Sequence, residues 1–120
     1  MMDDSGFVAH VLDLLEPWWR VDARRMFGGY GLYRQGLMFA LVADDTLYLK
    51  VDEGNRGHFL EAGMMPFTYE GKTRPVTLSY WETPPDALDD GTELIALARE
   101  AYAAATRARA ASPPKPRRRR

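Results

Sequence analysis

Three features of this chain have residue types that could do chemistry. They are the glycine string in ARRMFGGYGLYRQG (residues 23–36), the triplet Gly71-Lys72-Thr73, and a thin scatter of His, Ser and paired Asp. A dinucleotide site needs G-x-G-x-x-G between a strand and a helix, so that backbone amides meet a pyrophosphate at the helix start. Here Gly29-Tyr30-Gly31 runs on into Leu32, Tyr33 and Arg34, with no third glycine and no helical pattern behind it. A phosphate loop ending at Gly71-Lys72-Thr73 needs a glycine five positions before Gly71, where Pro66 stands, and then a helix, where Pro75 opens an alternating run. The spacing argues against a nucleotide at either place.

The remaining candidates fare no better. His10 and His58 have neither a second histidine nor an acid at metal-ligand spacing. No G-x-S-x-G surrounds Ser5, Ser79 or Ser112. Asp44-Asp45 and Asp89-Asp90 are paired carboxylates, but one pair suits a hairpin turn and the other a helix start. There is no cysteine, which removes disulfides and thiolate metal sites. The residues imply no enzyme, no cofactor and no metal site.

The elements that must position these residues follow from periodicity. Phe7, Val8, Val11, Leu12 and Leu15 recur at helical spacing, predicting a helix from Ser5 to Glu16 that Pro17 ends. LMFALVA (37–43) is almost wholly apolar, as a central strand covered on both sides would be. TLYLKV (46–51) alternates, with Asp44-Asp45 as a tight turn before it. Residues 24–34 read as one preceding strand, joined through Gln35-Gly36. A one-residue bulge at Gly28-Gly29 would put Phe27, Tyr30 and Leu32 on one face, and glycine there lets another backbone or ring come close. Asp52 caps a short helix over 53–62 with Gly63 beyond its end. PFTYE (66–70) and PVTLSYW (75–81) form a hairpin about Gly71. Asp90-x-x-Glu93 resembles a capping box before a helix whose stripe is Leu94, Leu97, Ala98, Ala101 and Ala105. The order α-β-β-β-α-β-β-α predicts an α+β fold: a five-stranded antiparallel sheet with helices mainly on one face.

Charge divides the chain into a domain over 1–110 and a disordered basic Pro/Arg tail over 111–120. The tail, ASPPKPRRRR, holds five of the 16 basic residues and no acid, leaving 11 against 17 acids in the body. An acidic body repels nucleic acid, so any such contact falls to Arg117–Arg120. No run approaches the length of a membrane span, and MMDDSGFVAH lacks the layout of a secretion signal, so the expected location is the cytoplasm, with no membrane partner. Alternation places Tyr48, Lys50, Thr77, Ser79 and Trp81 on the sheet face away from the helices, a half-polar surface with large rings that suits a protein partner. The competing reading is a solvated face with Trp81 folded under Pro84-Pro85. Arg24 and Arg25 are either an anion site or partners of acids such as Asp22 and Asp52.

The strings RRMFGGYGLY (24–33), MFALVADDTLYLKVD (38–52), PFTYEGKTRPVTLSYW (66–81) and ALDDGTELIALAREAY (87–102) resemble the N-terminal domain of the TfoX/Sxy family over about residues 7–106. The resemblance implies a secretion-chaperone-like α+β fold, a bacterial cytoplasmic protein, and a non-catalytic regulator of DNA-uptake (competence) genes. It implies a partner in the transcription machinery or a second copy of the chain, and it carries over no catalytic residue. Family members have a helical C-terminal domain where this chain ends in PPKPRRRR, so a stand-alone N-terminal domain is expected. The partner-binding candidates are Tyr48, Lys50, Trp81, Arg24 and Arg25. The alternative functions are nucleic-acid association through the tail and small-ligand sensing.

Overall fold

A computed structural model describes residues 5–26 and 28–111 of the chain. Helix α1 (Ser5–Leu15) leads into β1 (Asp22–Met26), β2 (Gly29–Arg34), β3 (Leu37–Ala43) and β4 (Thr46–Lys50). A short helix α2 (Arg56–Glu61) precedes the hairpin β5 (Pro66–Glu70) and β6 (Pro75–Glu82). A 3-10 turn (Pro85–Asp89) then feeds the long helix α3 (Gly91–Ala111). The described strands form one antiparallel sheet in the order β1-β2-β3-β4-β6-β5. The α+β class is as expected, with six strands instead of five. Among the described residues no helix is long and apolar enough to cross a membrane.

The sixth strand comes from the glycine string. Residues 22–34 do not make one bulged strand; they make a hairpin, closed by the pair Met26 and Gly29, with Gly28 at φ +82°. A turn is the cheaper use of a glycine that accepts positive φ, because it pairs both arms instead of leaving one unpaired residue. A register shift does occur, but one strand further on. Leu32 faces Ala40 while Tyr33 faces Met38, so Phe39 is the extra residue and lies fully buried beside Ala40. Gly29 is needed for a different reason: a Cβ there would stand 2.1 Å from the Val42 carbonyl oxygen. Phe27 and the tail over 112–120 lie outside the described residues.

The other turns follow their sequence signals. Gln35-Gly36 (φ 52° and 80°) and Asp44-Asp45 (φ 51° and 58°) have the double positive φ of type I′ hairpins. Gly71 closes the β5–β6 turn, its N–H donating to the Arg74 carbonyl at 2.9 Å. At α3, the Asp90 Oδ1 accepts the N–H groups of Thr92 (3.0 Å) and Glu93 (3.4 Å). The expected stripe of Leu94, Leu97, Ala98, Ala101 and Ala105 is buried.

All three helices pack on one sheet face. Val8, Val11 and Leu15 of α1, Phe59 of α2 and the α3 stripe meet Leu32, Phe39, Ala40, Val42, Leu47, Leu49 and Val51. Each Val, Leu or Phe among them contributes roughly 1.5–3 kcal/mol by leaving water, and each alanine less. Helix α2 is shorter than the expected 53–62. Asp52 instead shapes the turn before it, accepting the Gly54 N–H at 2.8 Å, while its main-chain carbonyl accepts the Arg56 N–H. The Asp52 carboxylate also receives Nε and Nη2 of Arg107 at 2.7 and 2.8 Å, tying the end of β4 to α3. Gly54 leaves room for that reach, since a Cβ there would meet Arg107 Nη2 at 2.7 Å.

Two outcomes follow from this packing. Gly29→Ala should cost about 1–3 kcal/mol, because the new methyl drives β2 off β3. Gly57→Ala, with open space around it, should raise stability by about 0.4–1 kcal/mol. Urea denaturation of both variants checks the contrast. The Arg107 guanidinium holds the Asp52 carboxyl down at about 2, below its ordinary 3.8. A depressed carboxyl pKa contributes stability that is complete above about pH 4 and is lost as pH falls toward 2. Arg107→Met should flatten the stability profile in that window, as thermal melts between pH 2 and 5 would show.

Candidate functional site

The register of β4 against β6 decides what the face away from the helices carries. Tyr48 pairs with Glu82, Leu49 with Trp81 and Lys50 with Tyr80. Cross-strand partners share a face, so Tyr48 and Lys50 lie with Tyr80 on the open side. Trp81 lies with Leu49 on the helix side, packed against the core with its ring 6.4 Å from Phe59 in an edge-on contact. The expectation that Trp81 joins Tyr48 and Lys50 is therefore corrected. The parity of β6 is the reverse of the expected one, because the largest apolar ring in the strand goes where α2 can cover it. Val76, Leu78 and Tyr80 consequently turn outward, with the half-exposed Tyr69 opposite Val76.

These outward residues form a groove. It encloses ≈ 540 Å³, and its walls include Met26 of β1, Met38 and Leu41 of β3, Phe67 and Tyr69 of β5, and Leu78 and Tyr80 of β6. Residues from both edge strands line one cavity, so the twisted sheet curls toward its open face. The floor depends on Gly31, where a Cβ would stand 2.8 and 2.9 Å from the Met38 and Met26 sulfurs and 3.0 Å from the Tyr33 ring. Tyr48 extends the aromatic wall, its ring 4.8 Å from Phe67, which is 6.2 Å from Tyr69. Burial, then the neighbouring Glu82, raises the Tyr48 phenol. Burial with the nearby Tyr33 phenol pushes Tyr80 up to about 12. Both phenols stay protonated donors at neutral pH.

Cations decorate one part of this face. The Lys50 ammonium sits 5.2 Å from the Tyr80 ring centre and donates to Ser79 Oγ at 2.6 Å. The Arg24 guanidinium lies 4.7 Å over Tyr33, and Arg25 lies 5.3 Å over Tyr30. Asp52, one of the acids expected to pair with these arginines, is held by Arg107 instead. Of the five candidates, the structure brings Tyr48, Lys50 and Arg24 to the open face. Trp81 is in the core layer, and Arg25 pairs across the strands with Tyr30, whose ring packs on the core side.

The alternation of β5 and β6 signals Phe67, Tyr69, Leu78 and Tyr80, which the sequence reading passed over, but only as a set sharing one face or the other. A second missed feature is Arg34. Its guanidinium lies 3.9 Å from the Trp19 ring, 5.0 Å from Trp18 and 4.7 Å from Tyr102. That arrangement closes the α1–β1 link over α3 and is occupied by the chain's own cation.

His10 Nε2 lies 2.9 Å from the Leu88 carbonyl oxygen, and His58 Nε2 lies 3.6 Å from Glu100 on α3. Among the described residues no three His, Cys, Asp or Glu side chains converge as a metal site would require.

Comparison with known proteins agrees with the fold's own signals. A family model described as the TfoX N-terminal domain matches residues 13–105. A stretch of 63 residues, 52% of this chain, is 36% identical to DNA transformation protein TfoX1 of Aliivibrio fischeri (strain ATCC 700601 / ES114). That stretch covers 30% of the relative's length.

The two faces of the β5–β6 hairpin should respond differently to truncation. Trp81→Ala should cost about 3 kcal/mol by opening a cavity under α2. Tyr69→Ala, on the open rim, should stay within about 0.5 kcal/mol of the parent. Equilibrium unfolding by tryptophan fluorescence for Tyr69→Ala, and by circular dichroism for both, measures the difference.

Proposed function

The chain belongs to the TfoX N-terminal domain family, and we propose that it is a non-enzymatic regulatory domain of DNA uptake that acts by binding a protein. The relative's printed name, a DNA transformation protein, supports the process. One observation carries the mode of action: the sheet face opposite the helices is an open surface of aromatic and thioether side chains. Tyrosines on such a face bury area against a partner while their hydroxyls remain satisfied by water or by the partner. The rim supplies the most accessible anchors, with Met65 at 64% and Tyr69 at 47% exposure beside the edge strand β5. An edge strand with free main-chain groups can also extend its ladder into a partner strand. Transcription machinery is the partner class this role requires, and the domain acts from the cytoplasm.

A promoter reporter for DNA-uptake genes in a naturally transformable bacterium tests this reading. Expression of this chain should change reporter output, and Tyr48→Asp or Tyr69→Asp should abolish the change while leaving a cooperatively melting fold. Lys72→Ala, on the β5–β6 turn, should be silent. Folded outer-face variants that act like the parent would refute the assignment.

A further inference from the structure

The groove differs from a flat partner surface in depth and in the placement of charge. A volume of ≈ 540 Å³ falls inside the range of small-molecule sites. Its walls, among them Met26, Met38, Leu41, Phe67 and Leu78, offer sulfur, ring and methyl contacts to an apolar body. Two cations stand beside it at one region. Lys50 stands over Tyr80, and Arg24 stands over Tyr33. The Tyr33 phenol lies near enough to Tyr80 to disfavour the ionisation of Tyr80, although β3 and β4 separate their strands. Two phenols and two cations therefore lie together at one end of the open face, beside the groove. Among the described residues neither Lys50 nor Arg24 is paired with a carboxylate. Of the acids of this face, Glu82 and Asp44 act on Tyr48, while Asp22 is the cross-strand partner of Tyr33 and shares the face of Arg24, so the two cations there outnumber one carboxylate.

We propose that the groove is a binding site for an amphipathic organic anion, its apolar body between β3 and the β5–β6 hairpin and its anionic head among Lys50, Arg24, Tyr33 and Tyr80. Charge complementarity selects this occupant over a neutral one. An uncharged apolar molecule gains the wall contacts but leaves the two cations unanswered, whereas an anion gains both. The Tyr80 phenol, held protonated by its burial, suits the same head, since it donates a hydrogen bond and brings no competing negative charge. The inference goes beyond protein binding at this face and is read by a different measurement, so either can fail alone.

The probe pair is 8-anilino-1-naphthalenesulfonate and N-phenyl-1-naphthylamine, which share a hydrocarbon skeleton and differ in the sulfonate. Fluorescence titration of the full chain should show saturable 1:1 binding of the sulfonate, about tenfold or more tighter than the neutral analogue. Lys50→Gln and Arg24→Gln should each weaken the sulfonate severalfold and leave the neutral dye unchanged. Leu78→Trp, which fills the groove from its wall, should weaken both. Cooperative thermal melting of each variant separates groove binding from dye uptake by a loosened core. Equal affinity for the two dyes would overturn the proposal, as would binding that ignores Leu78→Trp. A solution mass of two chains with neither dye bound would show a second copy occupying the face, and would overturn it too.

Discussion

The pairing of β4 with β6 is the constraint on which the rest of this molecule depends. A slip of one residue would move Trp81 to the open face and Tyr80, Leu78 and Val76 beneath the helices. The register is held at both ends of β4: the Val51 N–H donates to the Ser79 carbonyl at 2.9 Å at one end, and Thr83 bonds Leu47 at the other. Asn55, the second buried polar side chain among the described residues, braces the turn that leaves β4. Asn55 accepts the Asp52 N–H at 2.8 Å and donates to the Lys50 carbonyl at 3.0 Å. Thr83 sends both its N–H and its hydroxyl to the Leu47 carbonyl, each at 2.9 Å. A slipped register would leave the Val51 N–H and the Thr83 groups buried without these partners, a penalty of about 1–3 kcal/mol for each. Polar groups at the strand ends thus enforce which apolar groups face which way.

How much of this was legible in the sequence depended on whether a signal was local. The turns at Gln35-Gly36 and Asp44-Asp45, the Asp90 cap and the alanine stripe of α3 each depend on a few adjacent residues, and each formed as read. The capping box formed only by half, because the Asp90 N–H turns back to the Ala87 carbonyl of the 3-10 turn. Gly28-Gly29 was harder. A bulge and a turn both ask for glycine, and what separates them is whether residues 22–26 find a partner in 29–33, a fact of pairing rather than of composition.

The candidate site failed in the same way. Period-two alternation in β6 sorts Val76, Leu78 and Tyr80 from Thr77, Ser79 and Trp81 but does not say which set is covered. Both sets contain large apolar groups, so hydropathy does not break the tie. The answer lies in Phe59 on α2, against which Trp81 packs, and in the bonds of Val51 to Ser79 and of Thr83 to Leu47. Tyr48 and Lys50 were placed correctly because Leu47 and Leu49 on the other face of β4 leave no doubt about its buried side. No analogous signal existed for Arg34, whose aromatic surroundings come from three separate segments.

A sheet face this apolar is costly to leave open, and the fold limits the cost without removing it. Curling brings Met26 of one edge toward Phe67 and Tyr69 of the other, so the side chains shade one another and water in the cleft has few polar partners. Tyrosines at the rim keep hydroxyls wet, and Arg24 and Lys50 lie over rings that would otherwise meet solvent. Pro66 and Pro75 at the starts of β5 and β6 remove two main-chain donors from that hairpin, which discourages indiscriminate strand addition. Gly31 is the telling residue. A larger side chain would need the Met26 and Met38 sulfurs and the Tyr33 ring to give way, and those are the groups that shape one end of the cleft. Stability alone would favour filling such a space or covering it with a helix. That the sheet instead curls around it, with both edges contributing walls and Lys50 and Arg24 stationed beside it, is the physical argument for the proposal that the domain acts through this face.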